Sequence, residues 1–144
     1  MGPEVGSRRT SRELALRALF QMDVGHFDPA AALELLLDPE RHAADTIDFA
    51  RELVLGAATH RGHIDEVIES YARGWTLERM ANVDRNILRL AMFELLYLPD
   101  IPPSVTVNEA VELAKKYSTA ESGRFVNGIL GNVVRNLEGE LARL

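Results

Sequence analysis

A chain of 144 residues, 47% hydrophobic and 26% charged, is long enough for one domain of ordinary size with a buried core. With no cysteine it has no disulfide, no thiolate metal site and no cysteine nucleophile, as suits a reducing compartment. A net charge of −6 excludes binding of nucleic acid by the surface at large and leaves only a local basic patch for that role.

The charge is uneven. Through Arg17, four arginines (Arg8, Arg9, Arg12, Arg17) stand against two glutamates (Glu4, Glu13), a balance of +2 that leaves −8 for the rest. Met1 to Ser7 carry no apolar stretch of the kind a signal peptide needs. The longest apolar run, around Leu95 to Leu98, is far too short to cross a bilayer. The expectation is a soluble, cytoplasmic protein.

In chain order, residues 1–7 read as a flexible tail. Thr10-Ser11-Arg12-Glu13 has capping-box form, which predicts a helix to about Val24 with Leu14, Ala15, Ala18, Leu19 and Met22 on one face, closed by Gly25. Asp28-Pro29 predicts a short helix to Leu37, and Asp45 a longer one carrying Ile47, Ala50, Leu53, Val54 and Ala57. Gly62 marks a break near His60 to His63, after which Ile64, Val67, Ile68 and Tyr71 continue a helical stripe toward Gly74. Trp75 and Leu77 read as a hydrophobic connector.

The segment from Val83 to Leu98 is apolar over much of its circumference, which predicts a central buried helix. Pro99, Pro102 and Pro103 stop it. Thr106 to Glu109 and Ser118 to Glu121 are two further capping boxes, each opening a helix. No segment sustains strand alternation and no solenoid period recurs. The fold expected is all-α, about seven helices around one core, with residues 8–144 forming one domain.

Catalytic constellations are hard to find. His60, His63, Asp65 and Glu66 have zinc-compatible side chains but match no closed site, and read as ordinary helix-end residues. No glycine-rich loop follows a strand, and no serine or threonine sits in a nucleophile elbow. No enzyme, no metal and no cofactor is expected.

Three features point instead to binding. Leu16, Phe20 and Val24 form a second apolar stripe on the first helix, which must meet either more core or a partner. Arg8, Arg9 and Arg12 open that helix, where cations oppose the macrodipole; their planar forks suit phosphate recognition, a solubilising tail being the alternative. Gly123 and Gly128 weaken the last helix by roughly 1 kcal/mol each relative to alanine, so close approach of a backbone or ligand is expected there. Beside them, Arg124 and Phe125 at a helix start could admit a phosphate to free amides and a base to the ring. Tight helix crossing is the other explanation for Gly128, and for Gly131.

At these positions the chain resembles the NusB family. The resemblance runs from Arg8 to about Asn136 and includes Arg8-Arg9, Arg12-Glu13 and Ala18-Leu19-Phe20. It also takes in Val83-Asp84-Arg85-Asn86-Ile87-Leu88-Arg89-Leu90-Ala91, Val107-Asn108-Glu109-Ala110-Val111-Glu112-Leu113-Ala114-Lys115 and Arg124-Phe125-Val126-Asn127-Gly128-Ile129-Leu130. It implies a seven-helix fold built as two small helical bundles in one unit, and a partner, the small-subunit ribosomal protein that doubles as an elongation factor. It further implies that the pair binds single-stranded boxA RNA and helps load an antitermination complex on RNA polymerase, notably during ribosomal RNA synthesis.

By the same resemblance, RNA contacts fall on Arg8, Arg9, Arg12, Glu121, Ser122, Gly123, Arg124 and Phe125. Partner contacts fall on Phe20 and Asp84, with Leu16 on the same stripe as Phe20. The chain departs from relatives with a longer basic run by placing Thr10 and Ser11 there, and its Phe20 lacks a tyrosine's hydroxyl. Two rivals remain in view. One is a helical interaction adaptor or homodimer that binds no RNA. The other is the NusB-like domain of ribosomal RNA cytosine methyltransferases, whose large catalytic domain does not follow Leu144 here.

Overall fold

The computed structural model describes residues 7–144, so of the tail expected over residues 1–7 all but Ser7 lies outside the described residues. Among the described residues there are eight α-helices, one 3₁₀ turn and no strand, one helix more than the sequence suggests. No helix is long and apolar enough to cross a membrane. The helices fall into two units that divide between Thr59 and His60.

The first unit holds α1 (Arg8–Gly25), α2 (Pro29–Leu36) and α3 (Ala44–Thr59), each packed on the other two. Its core takes Leu14, Ala15, Ala18 and Leu19 from α1, Ala32 and Leu33 from α2, and Phe49, Ala50, Leu53, Val54 and Ala57 from α3. Thr10 does not cap α1. Ser7 does, its hydroxyl accepting from the Thr10 amide at 3.2 Å. Ser7 and Ser11 also tie this helix start to α3: the Ser7 amide donates to Thr46 Oγ1 at 2.9 Å, and the buried Ser11 hydroxyl donates to the Thr46 carbonyl at 2.7 Å. The cap therefore lies three residues upstream of the expected one, and the start of α1 is fixed by its contact with α3. Gly25 is still helical, and His26 takes the left-handed conformation that ends α1 (φ 58°). Asp28 caps α2 as expected, while Asp45 lies inside the first turn of α3 rather than ahead of it.

The second unit holds α4 (Arg61–Tyr71), the 3₁₀ turn Leu77–Arg79, α5 (Asn82–Tyr97), α6 (Pro103–Tyr117), α7 (Ala120–Arg135) and α8 (Leu137–Ala142). Helix α5 is the hub, packed on α4, α6, α7 and α8, and every residue from Asn86 to Leu96 is buried. Arg89 and Glu94 are among them, so each must find a partner inside. Arg89 forks onto Asp65 of α4 at 2.9 and 3.3 Å and onto Asn86 at 3.2 Å. Glu94 accepts from Thr106 of α6 at 3.0 Å.

That bond accounts for a second departure from expectation. Thr106 is not a cap: α6 begins at Pro103, whose fixed φ and missing amide suit a first helical turn, and Thr106 is turned inward to Glu94. Helix α7 is capped by Thr119, one residue after Ser118.

Helix α8, which no pattern in the sequence announced, is anchored through Glu140. This 4%-exposed carboxylate accepts from the Tyr71 hydroxyl of α4 and from Arg143 at 3.0 Å. Burial, then the Glu140 carboxylate, push the Tyr71 hydroxyl from 10.0 up to about 12. A folded pKa above the unfolded one gives stability that is complete below pH 10 and lost as pH rises from 10 to 12. Denaturant unfolding of the wild type should therefore weaken across that window more than that of Tyr71→Phe. Parallel pH profiles for the two proteins would remove Tyr71 from the anchor.

Candidate nucleic-acid interface

In the first unit, the start of α1 carries the candidate cations. Arg8 and Arg9 are exposed. The Arg8 guanidinium lies 4.3 Å from the centre of the Phe49 ring, which supports it by cation–π attraction. Arg12 shares the same ring at 5.6 Å but is only 3% exposed, so its guanidinium belongs to the packing of the unit and is not a surface cation.

The second stripe of α1 divides in the same way. Leu16 is 4% exposed and lies in the core, whereas Phe20 and Val24, one and two turns further on, are 36% and 50% exposed. Of the two readings left open by the sequence, the core holds for Leu16. Phe20 presents its ring to solvent. Phe27 and Leu35 extend the list of exposed apolar side chains on this unit.

In the second unit, Thr119 and the first turn of α7 build a separate candidate site. The Thr119 hydroxyl accepts from the Ser122 amide at 3.0 Å, and the Ser122 hydroxyl donates to Asp84 Oδ2 at 3.0 Å. Ser118 Oγ completes the cluster, 2.9 Å from Ser122 Oγ. Asp84 is 9% exposed, and its Oδ1 is buried with no hydrogen-bond partner. Glu121 and Arg124 are exposed and Phe125 is half-buried. Asp84 and Glu121 both line the groove at this corner, and two carboxylates there repel a phosphate.

Of the close approaches expected at the glycines, the one at Gly123 is present and the others are not. Gly123 is the tight position: a Cβ there would lie 3.2 Å from Lys115 Cγ and 3.7 Å from Val111 Cγ1, both on α6. Gly128 faces open space, and a Cβ at Gly131 would meet only Arg135 of its own helix, at 3.8 Å. No tight helix crossing forms at either.

A groove of about 460 Å³ opens beside the α7 start, lined by Trp75, Arg79, Met80, Asp84, Glu121 and Phe125 among others. Trp75 is 52% exposed, and its ring meets Phe125 edge to face, with centres 6.4 Å apart and planes at 72°. Sequence reasoning treated Trp75 as a connector and passed over Arg79 and Met80. The signal available was a lone tryptophan beside the glycine turn at Gly74, too weak to fix its exposure.

The histidine cluster resolves into packing. His60 stacks on Tyr97 with centres 3.9 Å apart, and Asp65 is engaged by Arg89 and Arg61. Among the described residues no group of three or more metal-ligating side chains comes together.

The described residues form a small all-helical protein, with exposed arginines at the α1 start in one unit and an aromatic groove with mixed charge at the α7 start in the other. The sequence model of the NusB family matches residues 9–135. Over 141 aligned residues the chain is 53% identical to the transcription antitermination protein NusB of Symbiobacterium thermophilum, covering 92% of each chain. Its fold is similar to that of T. maritima NusB, with a TM-score of 0.88, 39% identity and coverage of 98% of this chain and 100% of that one. It is also similar to a chain in the crystal structure of antitermination factors NusB and NusE in complex with dsRNA. There the TM-score is 0.82 and the identity 29%, covering 89% of this chain and 96% of that one. The chain belongs to the NusB family.

Because Gly128 is helical, exposed and free of neighbours, Gly128→Ala should raise unfolding stability by roughly 0.5–1 kcal/mol. Urea denaturation measures this. A loss of stability would mean that the position is crowded after all.

Proposed function

We propose that this chain is a transcription antitermination factor that acts by binding, with no bond made or broken. It pairs with a small-subunit ribosomal protein of the NusE kind, and the pair holds single-stranded boxA-type RNA for an antitermination complex on RNA polymerase. The observation that carries this reading is the 53% identity to an antitermination protein across 92% of both chains. The family match spans both units, which supports residues 8–144 working as one domain.

On the RNA side, the exposed forks of Arg8 and Arg9, with Arg124, position phosphates, and Phe125 lies among the groups that meet a base. Arg12 supports this indirectly, by packing against the ring that also carries Arg8. Phosphate contacts of this kind release counterions, so they set a salt slope. Arg8→Ala with Arg9→Ala should weaken binding of boxA RNA and make its affinity less steeply dependent on salt. An unchanged affinity and slope in filter-binding titrations would remove these arginines from the interface.

On the protein side, Phe20 is the anchor, since aromatic side chains that stand in water gain most when a partner covers them. The partly buried Asp84 offers an acceptor to whichever ligand enters its groove. Phe20→Asp should abolish the complex with the ribosomal protein in size-exclusion chromatography while leaving the helix content intact. A surviving complex would show that the partner docks elsewhere. The exposed Phe20, Val24, Phe27 and Leu35 also favour a second reading, an adaptor that binds only proteins. Filter binding of boxA RNA with and without the ribosomal partner separates the two.

A further inference from the structure

We infer that Trp75 is a stacking platform for an unpaired nucleobase, and that the groove beside it takes the base while excluding the phosphate. The inference rests on the RNA-binding reading above and assigns the groove a role of its own within it.

Three independent observations converge. First, Trp75 stands 52% exposed although an indole is among the side chains that gain most from burial. Its ring is not loose: the edge-to-face contact with Phe125 braces it, and at a plane angle of 72° the two rings do not stack on each other. Phe125 is thus the bracket and Trp75 the platform.

Second, the groove has about 460 Å³, room for a flat heterocycle, and its charged lining is mixed: Asp84 and Glu121 with one cation, Arg79. Phosphate entering there would meet two carboxylates, whereas a neutral base would not. Arg79, exposed on the same lining, suits a backbone phosphate that remains outside.

Third, the buried Oδ1 of Asp84 has no donor, while Oδ2 is already held by Ser122. A buried acceptor without a partner calls for one. The exocyclic amine of cytosine, adenine or guanine is a donor of the right kind. Uracil offers only a single ring N–H flanked by carbonyl oxygens that a carboxylate repels, so the groove should favour amine-bearing bases.

Trp75 is the only tryptophan in the chain, so its fluorescence reports on this groove alone. The full-length protein would be titrated with single-stranded oligoribonucleotides while fluorescence anisotropy of a labelled RNA follows binding independently. Stacking should quench Trp75 with the same midpoint as the anisotropy change. Trp75→Leu should lower affinity about 5- to 50-fold, as expected for the loss of one base–aromatic stack, with Trp75→Phe between the two. Because Trp75 is exposed, neither substitution empties the core, and circular dichroism should be unchanged.

RNA binding with unaltered Trp75 emission and a wild-type affinity for Trp75→Leu would overturn the platform and leave the RNA-binding reading standing. No binding of any RNA would overturn both. Oligocytidylate should bind more tightly than oligouridylate of equal length, and Asp84→Asn should narrow that gap. If Asp84→Asn leaves the gap unchanged and loosens the ribosomal-protein complex instead, the carboxylate belongs to the protein partner and not to the base.

Discussion

Helix α5 is buried from Asn86 to Leu96 without interruption, and that condition sets most of the second unit. A helix with water on one side can leave its polar side chains there. One that is covered all round cannot, so each polar group on it must be matched by a group on a neighbour. Arg89 takes Asp65 of α4, Glu94 takes Thr106 of α6, and Asp84, at the helix start, takes Ser122 of α7. Three polar side chains thus specify three neighbours, and hydrophobic packing between them fixes the distances. Removing one partner leaves a charge in a low-dielectric interior, which costs far more than the bond contributes in water.

The same condition explains why the candidate site lies where it does. The last of these ties is the least complete: Asp84 has one oxygen engaged and one with no donor, at the point where α5 emerges beside the groove. Arg89 by contrast uses three nitrogens on three oxygens of two residues. Functional sites are often the places where a pattern of satisfied groups is left unfinished, because a ligand supplies the remaining partner. The fold and the site meet at this residue.

How much of this was legible in the sequence depends on the kind of signal. The burial of α5 was, since apolar residues round a full helical circumference have few other outcomes. The order of the helices was too, because Gly, Pro and Asp-Pro punctuate them. The caps were misread wherever two hydroxyls competed. Ser7 and Ser11 are used at the α1–α3 contact, and Thr106 is spent on a buried glutamate, and neither use leaves a local trace in the sequence. Gly128 and Gly131 were misread for a related reason, although the close approach expected at Gly123 is there. Gly123 is tight because Lys115 and Val111 of α6 pass over it, a fact about another helix, while Gly128 and Gly131 meet no other helix. The exposure of Trp75, read as a connector, was not legible since a loop residue has no period from which to infer it.

The charge distribution adds a last constraint. A protein of net charge −6 cannot rely on attraction over its whole surface, so any grip on a polyanion must come from a few well-held cations and from contacts that carry no charge. Arg8 is a well-held cation, with its guanidinium over the Phe49 ring that the buried Arg12 shares. The groove at Trp75 is the aromatic counterpart. Its carboxylates would be a defect in a phosphate site, but in a base site they act as a filter, repelling the backbone and accepting from the donor edge of a base. A largely acidic surface with a base-reading groove discriminates against nucleic acids whose bases are stacked and paired, because those present mainly phosphate. Negative charge that weakens binding overall therefore sharpens the choice of what is bound.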